Sequence, residues 1–386
     1  MQIEILSDRP VSRNYLQGNG SLACAYPSST VLADGDIACV YRQGATKHSP
    51  DGILVMQTSS DCGNSWTEPQ VVFDGQQLNP TKTVESGGIC FTNTGTLVAT
   101  FGLVEALPAG VYVFSEQGMA LRRKTCASRS EDRGATWSDR SQMDVSPFQN
   151  AGITTRPFVL PNGAICVPVE VQTAQGPMGT ALTFSQNDGR TFESLSVCAA
   201  DPEGRLNLCD ARFTTLPDGR ILMLLWTFLQ ESEKTIEVHQ SLSADGGRTW
   251  LAPRPTGISG QITVPLALPS GTLIAASNFR HTPEGIRIWM STDEGSRWDS
   301  EPPIQMWDLR KSCVLGQPVS EESFEEKDES VWEALDRFTF GTPDLLQLRD
   351  GSILLTYYGT VSGITHVRAC RFLLHEMKAG ARPLVS

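Results

Sequence analysis

The sequence predicts an all-β fold, a six-bladed β-propeller, because two short patterns repeat along its 386 residues. The first is an octet of the form Ser-x-Asp-x-Gly-x-Thr-Trp, with copies at 59–66, 130–137, 185–192, 243–250 and 291–298. The second is a turn of the Leu-Pro-Asp-Gly type between apolar runs, and its six copies end at Gly35, Gly95, Gly163, Gly219, Gly271 and Gly351. Repeats of about 40–50 residues are typical of propellers. Six turns therefore predict six blades.

The octets contain residue types that favour a tight turn between the two outer strands of a blade. Asp and Ser side chains hydrogen-bond to the backbone of such turns, and Gly adopts the positive φ that the turn needs. The aromatic residue at the end is expected to pack beneath the neighbouring strands. The third copy is the loosest, with Asn187 in the Asp position and Phe192 in the Trp position.

The turns of the second repeat predict β-hairpins between the two innermost strands of each blade. Counted from these hairpins, the blades span about 23–72, 79–140, 150–195, 207–253, 259–300 and 338–375. A strand within residues 2–7 is expected to supply the fourth strand of the last blade and so to close the ring. The chain, 1–386, is therefore predicted to form a single domain.

Three segments depart from this pattern. An insertion is expected at 107–118 in the second blade, and a polar, acidic stretch at 320–329 precedes the last blade. A short helix is predicted over 330–337, because Ser330 is a suitable N-cap and Glu333 follows three residues later.

The composition argues against several classes of partner. The net charge is -12 and the pI is about 5.0, whereas nucleic acids and anionic membranes select clustered Lys and Arg. The N-terminus has no signal-peptide pattern, and no later run reaches the ~18 apolar residues of a membrane span. We expect a cytoplasmic protein, or a secreted or periplasmic one whose leader was removed. The ten cysteines form no Cys-x-x-Cys pair and are expected to be buried free thiols.

Aligning the six units on their hairpin glycines predicts a ring of residues at one end of the inner strands. Seven residues after each Gly stand Arg42, Gly102, Glu170, Trp226, Asn278 and Tyr358. Seven residues before it stand Ser28, Gly88, Arg156, Arg212, Val264 and Asp344. Charged groups are rarely buried without partners, so a ring of this composition predicts a ligand site and not an ordinary core.

The octets resemble the Asp-box, or BNR repeat, of the sialidase superfamily, and the resemblance covers nearly the whole chain. It implies a propeller with the boxes on its outside and a glycoside hydrolase without a cofactor. Sialidases carry an Arg at the end of the strand where Arg42 stands, followed by a loop that brings an Asp as the general acid. In this chain the loop offers His48 and Asp51. Asp51 also fits a turn, because it lies between Pro50 and Gly52.

The chain departs from the sialidase pattern in two places. The family opens with Arg-Ile-Pro, whereas this chain has Ala25-Tyr26-Pro27, so the arginine triad that binds the sialic acid carboxylate does not carry over whole. The family's nucleophilic Tyr lies on the first strand of its blade, where this chain has 341–344, so Tyr358 matches by type and not by place. Four arginines are expected to hold a carboxylate instead, namely Arg42, Arg156, Arg212 and Arg280.

The remaining roles follow from residue type and position. The acid, base or nucleophile is predicted among His48, Glu170, Asp210 and Tyr358. His48 qualifies because an unperturbed imidazole titrates near neutral pH. Asp210 and Arg212 lie two apart, so both face the same side if their strand is regular there. Further substrate contacts are predicted at Asp51, Lys82, Glu85, Trp226, Gln261 and His281, Trp226 as a stacking platform.

The sequence thus predicts a glycoside hydrolase that cleaves a terminal acidic sugar such as a sialic acid. Two alternatives stay open: a hydrolase or lyase for a uronic or neutral sugar on the same scaffold, and a non-catalytic carbohydrate-binding propeller. Carbohydrate is the expected partner in each case. No phosphate loop, nucleophile elbow or zinc-binding His pair occurs, so neither a metal nor an organic cofactor is expected.

Overall fold

The computed structural model describes residues 2–12, 23–78, 82–105, 123–148, 151–174, 176–281, 284–308, 339–361 and 364–375. In these ranges the chain is built from β-strands, and its single helical element is the 3-10 turn Gly75–Gln77. This confirms the predicted all-β class. None of these residues belongs to a helix with the length and apolarity needed to cross a membrane. The predicted insertion at 107–118, the polar stretch at 320–329 and the helix at 330–337 lie outside the described residues.

The strands, numbered in chain order, are β1 Gln2–Pro10, β2 Ala23–Val31, β3 Ile37–Gly44, β4 Ile53–Ser59, β5 Gln70–Asp74, β6 Lys82–Phe91, β7 Leu97–Glu105, β8 Lys124–Ser130, β9 Ser141–Gln142, β10 Ala151–Gly152, β11 Phe158–Val159, β12 Ile165–Gln172, β13 Met178–Ser185, β14 Glu193–Ala199, β15 Leu206–Thr215, β16 Ile221–Leu229, β17 His239–Ser243, β18 Arg254–Pro255, β19 Thr263–Ala267, β20 Leu273–Phe279, β21 Gly285–Ser291, β22 Asp299–Asp308, β23 Phe340–Gln347, β24 Ile353–Val361 and β25 Ile364–His375.

These strands pair as antiparallel meanders. Three meanders are separate sheets (β6 to β9, β15 to β18 and β19 to β22), and a fourth sheet holds β10 to β14, with β10 and β11 both on β12. The remaining sheet joins β2 to β5 with β23 to β25 through one parallel pair, Ala23 and Thr365. We number these units one to six from β2 onward. β1 pairs with β25 from Gln2–His375 to Pro10–Arg368, as predicted for the N-terminal strand.

The inner hairpins share one hydrogen-bond pattern. In unit one the Leu32 N–H donates to the carbonyl of Asp36 at 2.8 Å, and the equivalent bond in the other five units measures 2.8–2.9 Å. The six hairpin glycines have φ between +83° and +99°. Only glycine adopts that conformation without steric cost, which is why the repeat ends on it.

The five octets form a second recurrent turn. In each, the Ser Oγ accepts from the Gly N–H at 2.7–2.9 Å, as Ser59 does from Gly63. The Asp Oδ1 accepts from the N–H four residues on at 2.8–2.9 Å. Asn187 preserves this bond in the third octet, because its amide oxygen is also an acceptor. Each turn therefore obtains its hydrogen bonds from within its own eight residues.

The hydrophobic core lies between neighbouring units. Val40 and Leu54 of unit one pack with Phe101 of unit two, and corresponding clusters join each later pair of units. A further cluster joins unit six back to unit one, through Leu354 and Tyr41. All nine cysteines in the described ranges are free and eight are buried, as the sequence predicted. Inner strands of neighbouring units also contact one another: β2 contacts β6 and β23, and β19 contacts β15 and β23.

The octet glycines also pack against the preceding unit, which allows a stability prediction. Gly189 has φ +77°, and a Cβ there would lie 2.9 Å from Cγ2 of Val98 in unit two. Gly189→Ala is expected to lower the free energy of unfolding by about 1–3 kcal/mol beyond the backbone penalty, because Val98 is buried and stiff. The matched control is Gly219→Ala, with φ +88° and no atom within 4 Å. Equal losses in urea unfolding for both variants would contradict this contact.

Candidate active site

Four inner strands are irregular at the same place. The register of β2, β6, β15 and β23 skips at 25–28, 84–87, 209–212 and 341–344. At three of these skips a residue other than glycine adopts a left-handed conformation: Tyr26 (φ 60°), Asp210 (φ 48°) and Thr342 (φ 42°). Such residues cost about 1–3 kcal/mol each and gather at functional sites, and bulges re-aim side chains. The four bulges therefore mark this end of the inner strands as the candidate site.

A hydrogen-bonded pair of acidic residues lies at this end. Glu170 stands near the end of β12, and its Oε1 accepts the backbone N–H of Asp210 at 3.1 Å. Burial raises the pKa of Glu170 to about 7, and the charge of Asp210 adds to the effect. Burial also raises the pKa of Asp210, although Arg212 opposes it. Two adjacent carboxyl groups with raised pKa values are typical of acid–base catalysis.

Two arginines contact these carboxyl groups. Arg212 Nη1 lies 3.4 Å from Oδ1 of Asp210, although the strand is not regular there as the sequence argument required. Arg123 was not predicted: its Nη2 lies 2.6 Å from Oε1 of Glu85, and its Nη1 lies 3.9 Å from Oε2 of Glu170. Arg123 precedes β8, outside the strands aligned on the hairpin glycines, so no spacing rule identified it. The only sequence signal was Glu85 itself, a predicted site carboxylate in need of a cation.

The cluster holds three carboxyl groups and two guanidinium groups. Glu85, Glu170 and Asp210 supply the carboxyl groups, and Arg123 and Arg212 supply the guanidinium groups. Burial and the charge of Asp210 raise the pKa of Glu170 to about 7, so Glu170 keeps its proton at a higher pH than an exposed glutamate does. The geometry thus places a carboxyl group that can hold a proton near neutral pH beside a second acidic residue, Asp210.

An aromatic wall flanks the site. The hydroxyl of Tyr26 lies 3.2 Å from Nε2 of His48, and the Tyr26 ring meets Tyr358 edge-on with centroids 5.7 Å apart. Nζ of Lys47 lies 5.9 Å from the centroid of Tyr358. Tyr358 therefore lies beside the bulge of β2, and Tyr26, to which the sequence assigned no role, occupies the segment where the resemblance places an arginine.

His48 differs from its expected role as a proton donor near neutral pH. Burial, followed by the charges of Arg42, Lys47 and Arg123, lowers the pKa of His48 from 6.5 to about 3. The imidazole is therefore neutral across the physiological range, and its contact with Tyr26 is a hydrogen bond between neutral groups.

We predict that the His48 imidazole does not titrate above about pH 4 in the folded protein, whereas an unfolded sample titrates near about 6.5. The pKa of His48 is lower in the folded protein than in the unfolded one, so protons bind the unfolded protein first as the pH falls. The contribution of His48 to the free energy of unfolding is therefore fully present above pH 6.5 and is lost as the pH falls towards 3. Two-dimensional NMR measures the titration of the imidazole resonances, and the His48 resonance is assigned by its loss in His48→Gln. The same variant should show a weaker loss of stability between pH 6.5 and 3. A His48 midpoint near 6.5 in the folded protein would contradict this account.

Arg42 lies at the predicted position but is committed to the backbone. Its guanidinium donates to the carbonyl oxygens of Val84 at 2.8 Å, Thr46 at 2.7 Å and Ser49 at 2.5 Å. A Cβ at Gly52 would lie 2.3 Å from Nη2, so the loop closes tightly around this side chain. Arg42 therefore positions the loop between β3 and β4, which differs from the expected contact with a ligand carboxylate.

Arg156 and Arg280 also bond to protein acceptors. Nη1 of Arg156 lies 3.0 Å from Oδ1 of Asp344. Arg280 donates from Nε to Oε1 of Gln261 at 2.7 Å and from Nη2 to the carbonyl of Phe340 at 2.7 Å. Both side chains join neighbouring inner strands beside the site. Gln261 is thereby held next to Arg280.

The other residues predicted to contact substrate lie in turns, in the interior or at exposed positions. Asp51 accepts the Ala45 N–H at 3.0 Å, which is the turn-stabilising role. Trp226 is 3% exposed, packs against Phe228 and donates to Thr235, so it belongs to the interior and offers no open stacking face. Lys82 is partly exposed at the start of β6, and His281 is exposed after β20.

A small cavity lies between the inner strands beside the site. Its volume of about 20 Å³ has room for about one water molecule. Residues lining it include Tyr26, Ser28, Thr154, Arg156, Arg212, Thr342 and Asp344. A larger groove of about 550 Å³ lies among outer residues such as Phe184, Val197 and Arg248, and it shares no residue with the carboxyl cluster. Within the described ranges, no group of three or more His, Cys, Asp or Glu side chains is arranged to hold a metal.

Comparison with known proteins places this geometry in context. The family model described as a BNR repeat-like domain matches residues 35–355. A sialidase of Micromonospora viridifaciens is 25% identical over 332 residues, which cover 76% of this chain and 48% of that protein. This chain therefore spans about half the length of that relative. The match to the family model and to this sialidase confirms the resemblance to the sialidase superfamily.

Two solved structures share the fold at low identity. The Hadza microbial sialidase Hz136 superposes with a TM-score of 0.66 at 14% identity, over 92% of this chain and 66% of its own. An α-L-arabinanase of Penicillium chrysogenum, solved with arabinobiose, gives a TM-score of 0.66 at 16% identity, over 95% of this chain and 98% of its own. Glycoside hydrolases of more than one substrate class thus have this fold.

Proposed function

Because this chain belongs to the family of BNR repeat-like domains, within the sialidase superfamily, we propose that it is a glycoside hydrolase with Glu170 as its acid and Asp210 as its nucleophile or base. The observation that carries the proposal is the buried carboxyl pair. Glu170 accepts the Asp210 N–H at 3.1 Å and has a pKa raised to about 7. A general acid works best when its pKa lies near the operating pH.

The proposal includes a closed ring of six blades in one domain, as the repeats predicted. Two observations support it: hydrophobic clusters join each unit to the next and unit six to unit one, and β1 pairs with β25. In such a ring the inner strands converge, and the end with the bulges of β2, β15 and β23 becomes the mouth of the active site.

The reaction follows from the protonation of the two carboxyl groups. Glu170 donates its proton to the glycosidic oxygen as the bond from that oxygen to the anomeric carbon breaks. The Asp210 carboxylate attacks the anomeric carbon to form a glycosyl ester. In the second step the ionised Glu170 takes a proton from a water molecule, and that water hydrolyses the ester. An Asp carboxyl lies within about 4 Å of its own nitrogen, so the two groups lie within about 7 Å. That separation favours the retaining route, which uses about 5 Å.

The charge around the pair supports an acidic sugar as substrate. Six cationic side chains lie near the residues of the site, namely Arg42, Lys47, Arg123, Arg156, Arg212 and Arg280. With Glu170 protonated, four carboxylates oppose them, namely Asp51, Glu85, Asp210 and Asp344. This excess of positive charge favours a sugar that carries a carboxylate. The similarity to a sialidase agrees with this choice.

A neutral sugar is the second candidate, favoured by the way the arginines are used. Arg42, Arg156 and Arg280 each bond to protein acceptors, and Ala25, beside Tyr26, stands where the resemblance places the first clamping arginine of sialidases. Aromatic side chains such as Tyr26 suit the apolar face of a neutral sugar. The α-L-arabinanase of similar fold, solved with arabinobiose, supports this candidate.

The test is the release of 4-methylumbelliferone from its glycosides of sialic acid, uronic acids and neutral sugars including arabinose, with wild type beside Glu170→Gln. Hydrolysis of the acidic glycosides alone supports the first candidate, and hydrolysis of the neutral ones alone supports the second. Tight sugar binding without turnover from about pH 4 to 8, which spans carboxylate and imidazole titration, would overturn the enzymatic proposal. Glu131→Gln is the matched control, because Glu131 lies exposed in an octet.

A further inference from the structure

We propose that Glu85 and Glu170 share one counter-ion, Arg123, and that Glu85 keeps most of its positive charge away from the proton donor. The inference rests on the proposed function for the role of Glu170. Its basis is the unequal contact: Arg123 lies 2.6 Å from Glu85 but 3.9 Å from Glu170. The Arg123 side chain is only 4% exposed, so water does little to screen this difference.

Two glycines provide the space for this arrangement. Gly152 of β10 lies opposite Glu170 in the β-ladder, and a Cβ there would lie 2.4 Å from Nη1 of Arg123. Gly102 of β7 lies beside Glu85, and a Cβ there would lie 3.3 Å from Oε2 of that carboxylate. The guanidinium therefore crosses the face of the sheet where a side chain is missing, which places it between the two glutamates.

The groups that face Glu170 come from the two neighbouring units, two and four. Asp210 and Glu85 disfavour its ionised form, whereas Arg123 favours that form. Arg212 lies within electrostatic range of Glu170, and the Cys209 thiol contacts it. Of these, only Arg123 is divided between two glutamates. Removing the charge of Glu85 therefore leaves Arg123 to Glu170 and favours the ionised form of Glu170. Removing Arg123 has the opposite effect, because Glu170 then faces the carboxylates of Glu85 and Asp210 with only Arg212 to oppose them. Arg123 is a positioning residue, because it acts through Glu170.

The experiment is a titration of Glu170 by ¹³C NMR of the labelled Glu side-chain carboxyl, with its signal assigned by its loss in Glu170→Gln. Glu85→Gln is expected to lower the midpoint by about one pH unit, and Arg123→Gln to raise it by a similar amount. The double variant should return close to wild type, and the exposed Glu131→Gln should not move the midpoint. An unchanged or raised midpoint in Glu85→Gln would overturn the inference. Glu85→Asp and Arg123→Lys, with smaller shifts in the same directions, serve if the Gln variants do not fold.

The NMR readout separates this inference from the proposed function, because it needs no substrate. If hydrolysis is found, the alkaline limb of the rate should follow the midpoint, moving to lower pH in Glu85→Gln and to higher pH in Arg123→Gln. If no glycoside is hydrolysed but the midpoints shift as described, the shared counter-ion stands and the proposed function falls. If glycosides are hydrolysed but the midpoint does not respond to Glu85, the proposed function stands and the shared counter-ion falls.

Discussion

Replacing Glu170 by Gln is expected to lower kcat by about 10²–10⁴-fold for a glycoside whose leaving group is an unactivated sugar alcohol. Such a leaving group needs a proton as its bond breaks, and an amide has none to give at this acidity. Gln preserves the size of the side chain and can still accept the Asp210 N–H, so the fold should be retained. Steady-state kinetics with a disaccharide substrate, whose leaving group is an unactivated sugar, measures the loss of kcat.

The leaving group provides the decisive comparison for Glu170. A dinitrophenyl glycoside departs without protonation, so its cleavage should fall much less in Glu170→Gln than that of the disaccharide. In wild type the alkaline limb of kcat/KM should lie near pH 7, because the pKa of Glu170 is about 7, and the limb should vanish in the variant. Equal losses for both substrates, or an unchanged limb, would remove Glu170 from the role of acid.

Replacing Asp210 by Asn is expected to lower kcat for both kinds of substrate by about 10²–10⁴-fold, because the carboxylate acts on the anomeric carbon or on water whatever the leaving group. Asn tolerates the left-handed conformation of Asp210, with φ 48°, so the bulge in β15 should persist. The Asn side-chain oxygen can also still accept from Arg212. The loss should therefore come from chemistry, with thermal stability close to that of wild type.

Asp188→Asn is the matched control for Asp210→Asn. Asp188 also adopts a left-handed conformation, with φ 62°, but it lies in the third octet and binds Thr94, Thr96 and Arg129. It should change stability and leave kcat unaltered. Added azide should restore turnover in Asp210→Ala and yield a glycosyl azide of inverted configuration if Asp210 is the nucleophile. Full activity of Asp210→Asn, with its bulge intact, would contradict the proposed mechanism.

Local interactions explain why the strands and turns were readable in the sequence. The Ser and Asp side chains of an octet bond to backbone N–H groups of the same eight residues, and a hairpin such as that ending at Gly35 needs only its own glycine. The period of these turns then indicated the order of strands, and counting from the glycines located Glu170, Arg42 and Tyr358 at one end of the inner strands. This much depends on spacing along the chain, and the sequence by itself determined it.

Packing between units determined which partners those side chains contact and whether they are charged. Arg123 pairs with Glu85, which lies 38 residues away in the sequence. Arg42 donates hydrogen bonds to the loop after β3 and to the carbonyl of Val84 on β6, in the neighbouring unit. A bulge turned Asp210 towards Glu170, and burial among cations kept His48 neutral. Desolvation and long-range ion pairs depend on which groups the fold brings together. No pattern of neighbouring residues contains that information, so only the tertiary structure could show that Glu170 lies beside Asp210 with a raised pKa.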